Sequence, residues 1–243
     1  MTINPDKKLV VVTGASSGIG EAIVKKFSAL GYPTLLLARS IEKMQSFNLP
    51  NSLAIQLDVR NKEAFEEAIK KGEDKFGEVD LLINNAGIMG LSEKMWEQNK
   101  IQYEEMFATN VLGYLYGLQI LLPKMIKRQG GTVMNVSSTA GKKLYPDHNV
   151  YCATKAAVHA FSEATRVEAS ENNVRIITIA PGAVDTNILC YTKDQKAAEK
   201  KRQGDKGKIL TVEPIVNAVV YAYQQPQEVC IREIVVTHTK QAN

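Results

Sequence analysis

The stretch Thr13-Gly14-Ala15-Ser16-Ser17-Gly18-Ile19-Gly20 constrains this chain more than any other. It follows the apolar run Leu9-Val10-Val11-Val12 and leads into Glu21-Ala22-Ile23-Val24-Lys25-Lys26-Phe27, whose apolar residues recur at helical spacing. A buried strand, a glycine-rich turn and a helix N-terminus, in that order, make a cradle for a phosphate. Glycine tolerates positive φ and lets the backbone approach a ligand closely. The unpaired N–H groups of the first helical turn, with the positive end of its dipole, then face an anion. The same arrangement also serves as a plain connector, so the rest of the chain has to decide between the two.

At 243 residues the chain is long enough for one large α/β domain or two small ones, and 44% hydrophobic with 23% charged residues is the balance of a globular protein. No N-terminal stretch has the layout of a signal peptide, and no apolar run approaches the ~20 residues that span a bilayer. Cys152, Cys190 and Cys230 are too few and too scattered for a disulfide framework or a zinc site. The expectation is therefore a cytoplasmic protein with no metal and no membrane partner. The net charge of +4 is modest and no basic run is interleaved with aromatics, which argues against nucleic acid.

Short β-branched runs alternate with longer helical patterns throughout. Strands are expected at Lys8–Thr13, Thr34–Ala38, Leu53–Leu57, Val79–Asn84, Gly131–Ser137, Val174–Ala180 and Glu233–Thr237. Most are continuous apolar runs, as parallel strands buried on both faces require. Helices are expected at Gly18–Leu30, Lys62–Phe76, Ile101–Arg128, Val150–Glu171 and Val212–Gln224. With no internal repeat and no linker, the pattern predicts a single α/β domain over residues 1–243, a doubly wound seven-stranded parallel sheet with helices on both faces. The stretch Thr186–Lys208 breaks the rhythm. Its Lys193–Lys208 part carries seven basic against three acidic residues. It is read as a solvated insertion or as a lid over a substrate site, since loops at the carboxyl ends of strands carry function in such sheets.

In a dinucleotide fold an acidic residue ~20 positions after the glycine turn binds the ribose 2′-OH. Here the second strand ends in Ala38-Arg39-Ser40, with Arg39 nineteen residues after Gly20 and no carboxylate. A guanidinium suits a 2′-phosphate, which makes NADP(H) the expected cofactor rather than NAD, although an Arg at a strand exit can also be merely solvated. Farther on, Tyr151 and Lys155 are one helical turn apart and share a helix face. Ser137-Ser138 end an apolar strand at the edge where ligands bind, and Asn84-Asn85-Ala86-Gly87 end the strand before it.

Thr13-Gly14-x-x-x-Gly18-x-Gly20, Asn84-Asn85-Ala86-Gly87, Asn110, Ser138, Tyr151-x-x-x-Lys155 and Pro181-Gly182 follow one another along nearly the whole chain. The ordered set resembles the short-chain dehydrogenase/reductase family, whose domain is a Rossmann fold. The resemblance implies an oxidoreductase in which Tyr151 is the general acid/base and Lys155 lowers its pKa while bonding the nicotinamide ribose. A phenol of pKa ~10 needs lowering by ~2–3 units to act near neutrality, and an ammonium ~5 Å away at an effective dielectric of ~20 supplies roughly 3 kcal/mol of that. Ser138 would donate to the substrate carbonyl oxygen, and Asn110 would hold a water linked to Lys155.

For the cofactor, the resemblance implies Gly14, Ser16, Ser17, Gly18, Ile19 and Gly20 at the pyrophosphate and Asp58-Val59 at the adenine. Asn85, Ala86, Gly87, Pro181, Gly182 and Val184 would also bind the cofactor, and Thr186 would bind the nicotinamide carboxamide. Competing structural readings are a packed amphipathic Tyr151, a capping Ser138 and an Asp58 that caps a helix. His148 is read as a surface-loop residue, and Cys152 as small packing.

The C-terminal pattern, Pro214 opening the last helix and Cys230–Val236 as the last strand, is similar to serine/3-hydroxy acid dehydrogenase and carbonyl-reductase members of that family. A small carbonyl or secondary alcohol is the expected substrate, with a 3-oxoacyl thioester as the alternative and a nucleotide sensor without turnover as the reading from another class. The pocket walls are expected at Met89–Ser92, Thr139–Asp147 and Ala183–Lys193. Small residues on Ile101–Arg128 and Val150–Glu171, where the family builds its interfaces, imply a homodimer or homotetramer.

Overall fold

The computed structural model describes residues 7–90, 92–186, 188 and 207–241. Its strands are β1 (Leu9–Thr13), β2 (Thr34–Ala38), β3 (Ser52–Gln56), β4 (Val79–Asn84), β5 (Gly131–Val136), β6 (Val174–Pro181) and β7 (Glu233–Val236). They form one seven-stranded sheet in the order β3-β2-β1-β4-β5-β6-β7, and every neighbouring pair is parallel. Each expected strand is present.

Parallel pairing follows from what the strands have to bury. Successive side chains of a strand point to opposite faces. Leu9 and Val11 join a core layer with Leu35, Leu37, Phe65, Ile69, Leu118 and Met125, whereas Val10 and Val12 join Ile23, Phe27, Leu36, Ile215 and Val219 on the other side. The first layer is covered by α3 (Lys62–Phe76), α5 (Gly113–Lys127) and α6 (Asn149–Ala169). The second is covered by α1 (Gly18–Ala29), α2 (Ile41–Gln45) and α7 (Glu213–Tyr223). The architecture is the expected doubly wound α/β fold.

Two local features differ from the expectation. The single helix expected over Ile101–Arg128 is α4 (Lys100–Phe107) and α5 joined by a π-helical turn, Ala108–Leu112. Such a turn holds one residue more than an α-turn, and apolar spacing over a long window averages it away. The other is α2, a single turn whose Met44 is buried. Two apolar residues three apart are too short a pattern to distinguish from a loop.

The order of the strands places the site. From β1 the chain winds outward to β2 and β3, then returns to β4 on the other side of β1, so a crevice opens beyond the carboxyl ends of β1 and β4. Beyond β6, Leu210 N–H donates to Ala183 O at 2.9 Å and Asp185 N–H to Leu210 O at 2.8 Å, which ties the rim of that crevice together. Most of the expected lid, 187 and 189–206, lies outside the described residues, as does Cys190.

Candidate active site

The glycine turn is built as its spacing requires. Gly14 and Gly18 have φ of +66° and +55°, in the left-handed region that favours glycine. A Cβ on Gly14 would sit 2.8 Å from Ala86 Cα, and one on Gly20 would sit 2.3 Å from Gly14 O. Gly20 thus serves the cradle by letting the turn fold onto itself, without lining it. Thr13 ties the two strand ends at the crevice: its Oγ1 accepts from the N–H groups of Asn85 (3.0 Å) and Ala86 (3.1 Å), and Thr13 O accepts from Asn85 Nδ2 (2.9 Å). Ser17 stands at the N-cap of α1 without a side-chain capping bond, so its hydroxyl does not occupy the first-turn N–H groups.

A trough runs from this turn. One half is lined by Gly14, Ser16, Ser17, Gly18 and Ile19, by Arg39, Asp58, Val59 and Arg60, and by Asn85, Ala86 and Gly87. The other half is lined by Ser138, Tyr151, Lys155, Pro181, Gly182, Val184, Met89, Tyr145 and His148. Ile19, Asn85, Gly87, Thr186 and Ile188 line both halves, which makes the trough continuous. All the expected site residues meet there except Gly20, which packs behind the turn, and Asn110, which is fully buried behind Ile88.

Asp58 does not cap α3; Asn61 does, accepting from Ala64 N–H at 2.9 Å. Both Asp58 oxygens accept from Arg60 instead, Oδ1 from Nε at 3.0 Å and Oδ2 from the terminal nitrogen at 2.6 Å. That hydrogen bonding, with the charges of Arg60 and then Arg39, holds the Asp58 carboxyl below its ordinary value. The exposed Arg39 shares its end of the trough with Asp58 and Arg60. Arg60 carries no sequence signal of its own, because a basic residue a few places after a strand is common on any surface.

In the second half, α6 presents Tyr151 and Lys155 on one face. Lys155 is 2% exposed and its Nζ donates to Val136 O at 2.8 Å, the same carbonyl that accepts from Tyr114 Oη at 3.0 Å. Ser138 accepts from Ala140 N–H at 3.1 Å and so caps the single-turn helix Thr139–Gly141, as the structural reading foresaw. Its own proton is held only by a long contact to Pro181 O at 3.4 Å and by a hydrogen bond with Tyr151. The capping and catalytic readings of Ser138 are therefore compatible. Asn110 sits in the π-turn with its amide paired to the backbone of Ile88, accepting from N–H at 2.8 Å and donating to O at 2.9 Å, and it also donates to Thr154 Oγ1 at 3.1 Å. This fixes the strand exit that carries Gly87.

Without cofactor, burial governs the electrostatics of the pair. Burial pushes the Tyr151 phenol up to about 12, against the lowering effect of its bond with Ser138, and burial draws the Lys155 ammonium down to about 7. In the protein alone desolvation outweighs the Ser138 hydrogen bond that favours the phenolate, and the same burial disfavours the ammonium.

A stability test follows. Lys155 has a folded value of about 7 against an ordinary 10.5, so between those limits the unfolded chain binds the extra proton and stability rises with pH. Tyr151 has the opposite sign, but only above its ordinary 10.0. Urea unfolding without cofactor at about pH 7.5 and 9.5 should show the wild type gaining on Lys155→Met as pH rises, by up to ~1.4 kcal/mol per unit. Parallel pH profiles would contradict the assignment.

His148, expected in a surface loop, lines the trough at the N-cap of α6. Ile209 and Gln241 also line it without a signal in the sequence, since they reach the trough by contacts between distant positions. Gln241 Oε1 accepts from Ala183 N–H at 3.0 Å. Cys152 is buried packing, as expected. Among the described residues no His/Cys/Asp/Glu group could hold a metal, and no helix is long and apolar enough to cross a membrane.

A family model described as short chain dehydrogenase matches residues 8–197. An uncharacterized oxidoreductase of Staphylococcus epidermidis is 36% identical over 234 residues, 95% of this chain and 96% of that one. Among solved structures, a closed form of serine dehydrogenase complexed with NADP+ superposes with a TM-score of 0.91 at 32% identity, covering 97% of this chain and 96% of the other. Serine dehydrogenase from Escherichia coli does so with a TM-score of 0.85 at 32% identity, covering 97% of this chain and all of that one. With its doubly wound sheet, glycine cradle and ordered motifs, the chain belongs to the short-chain dehydrogenase family and is an oxidoreductase acting on CH–OH and C=O groups.

Proposed function

We propose that this protein transfers a hydride between NADP(H) and a small carbonyl or secondary alcohol, a 3-hydroxy acid being the first class to test, with Tyr151 as general acid/base. The observation that carries the reading is the continuity of the trough: a glycine cradle and Arg39 at one end, and Ser138, Tyr151 and Lys155 at the other. The protein's own groups fit a phosphorylated dinucleotide. Gly14 and Gly18 leave backbone open at the N-terminus of α1, and Arg39 faces the trough where a 2′-phosphate would be recognised. The bound cofactor supplies or accepts the hydride.

In the reducing direction the Ser138 hydroxyl donates to the carbonyl oxygen and Tyr151 gives its proton to that oxygen as it gains charge. In the oxidising direction the phenolate takes the proton back. A phenol held near 12 keeps its proton in the protein alone, and both the acid and the base role need positive charge beside it to bring it closer to neutrality. Lys155, titrating near neutrality, is the protein's own source of that charge.

NADPH oxidation followed at 340 nm over a panel of 2- and 3-oxo acids, aldehydes and 3-oxoacyl thioesters tests the reading. No turnover of any member, with NADPH bound, would favour the sensor. Arg39→Asp should raise the KM for NADPH about 10- to 100-fold, the loss of a charge-assisted bond of ~1.5–3 kcal/mol, with less effect on NADH. A wild type that prefers NADH would remove Arg39 from this role. The reading extends to a cytoplasmic homodimer or homotetramer, supported by free thiols at Cys152 and Cys230 and by exposed Ile101, Phe107 and Leu112 along α4 and the π-turn. Light scattering decides the oligomer.

A further inference from the structure

Tyr151, Lys155 and His159 follow each other at intervals of four on α6, and the chemistry above uses only the first two. His159 lies one turn below Lys155 with its side chain 15% exposed, between the catalytic turn and the sheet edge. Its Nε2 is 3.2 Å from the carbonyl oxygen of Ser138, and its Nδ1 is 3.5 Å from Oε1 of Glu233 on β7. Both neighbours are acceptors. A neutral imidazole has one N–H and serves one of them, whereas the imidazolium serves both. Glu233 Oε1 is buried without a hydrogen-bond partner, while Glu233 Oε2 pairs with Lys142 at the far end of the same turn. A buried carboxylate oxygen left in that state is costly, and a proton on Nδ1 would relieve it.

The turn is also shaped to the ring. A Cβ on Gly141 would sit 2.4 Å from His159 Cδ2 and 2.7 Å from Lys155 O, so the turn lies flat on α6 only with glycine there. Ser138 O already accepts from Gly141 N–H at 2.9 Å, and His159 completes its second bond.

We propose that His159 is a positioning residue for Ser138: its Nε2–H holds the Ser138 carbonyl, and Glu233 opposite Nδ1 makes the hold proton-dependent, the imidazolium joining the catalytic turn to β7 where the neutral ring reaches one side alone. The role of Ser138 rests on the function proposed above; the clamp itself rests on the contacts just given. The groups that face the ring are Glu233 from β7, Lys142 from the turn and Lys155 from α6. Glu233 and the Ser138 carbonyl favour the imidazolium, the two lysines oppose it, and burial opposes it most, which sets its titration below the ordinary histidine value. The clamp is therefore complete in acid and half-made at neutral pH and above.

The test uses the full chain without cofactor. Hydrogen-exchange protection, corrected for intrinsic rates, is measured at the amides of Ala140, Gly141, Lys142 and Lys143 at about pH 5.5 and pH 8. In the wild type, protection should fall by about threefold or more at the higher pH. In His159→Gln, which keeps one N–H for the Ser138 carbonyl and titrates nothing, it should be the same at both. In His159→Ala it should fall about tenfold at both. Wild-type protection that does not change while the His159 ring is seen by NMR to titrate would overturn the proposal, and that comparison needs no variant to fold.

Kinetics with NADPH supply the second readout. His159→Ala should lower kcat about tenfold with the Kd for NADPH unchanged, and His159→Gln should restore kcat to within about threefold. A loss of cofactor affinity instead would mark a merely structural role and refute positioning. Failure of the hydride-transfer reading would show as an active Tyr151→Phe beside an intact exchange response, whereas failure of the clamp would show as a flat exchange response beside an inactive Tyr151→Phe.

Discussion

Replacing Tyr151 by phenylalanine should lower NADPH-dependent carbonyl turnover about 10²- to 10⁴-fold, the span expected when a positioned general acid is removed. The change is confined to chemistry by the way the ring is held. It is 8% exposed and packs in a small cluster with Ile88, Met106, Ala140, Val150 and Cys152, all contacts that phenylalanine keeps. The hydroxyl bonds Ser138, which retains its capping bond from Ala140 N–H. Melting temperature and NADPH affinity should therefore stay close to wild type while kcat collapses. Turnover within about threefold of wild type would sink Tyr151 as the proton donor.

Phe27→Ala should do the reverse. Phe27 is fully buried on α1, where its ring meets Tyr32 edge-on at 5.3 Å and Tyr223 at 5.7 Å, and those two rings meet each other at 5.7 Å. Truncation removes a large apolar side chain and leaves a cavity among rigid rings, costing about 3–5 kcal/mol. That is a large share of the ~5–15 kcal/mol that holds a typical domain together. Urea unfolding should show the unfolding free energy falling by that amount, and kcat of the folded fraction should stay within about twofold, since Phe27 lies more than two turns from the cradle end of α1. A loss under about 1 kcal/mol would mean that the three rings do not carry this face of the core. Phe27→Leu should lose less than half as much, because most of the volume is kept.

Both residues were legible as a type of position before any fold was known, for the same reason. Spacing along a helix or strand sets which side chains share a face. Ile23, Phe27 and Val24 repeat at helical intervals, and Tyr151 and Lys155 are one turn apart, so one set had to be buried and the other had to project together. Continuous runs such as Leu9–Val12 and Leu35–Leu37 need cover on both sides, and helices between parallel strands provide it. The glycines of the cradle were legible because a left-handed turn leaves few other choices.

What depends on distant parts of the chain was not legible. Gln241 meets Ala183 across 58 positions, and Glu233 of β7 meets His159 of α6, so no local period marks either residue. Asn110 was found by its motif, but the π-turn that carries it inward was not, since one added residue barely disturbs an average over a long helix. The desolvation of Tyr151 and Lys155 was not legible either, because charge can be read from a sequence and burial cannot. The sequence by itself determined the layered α/β fold, the left-handed glycine turn and the one-face pairing of Tyr151 with Lys155, all consequences of neighbours a few residues apart. Tertiary structure alone decided that the glycine turn shares one trough with Tyr151 and Lys155, that burial disfavours the charged forms of both side chains, and that His159 backs the turn of Ser138, because burial and contact are set by where remote segments pack.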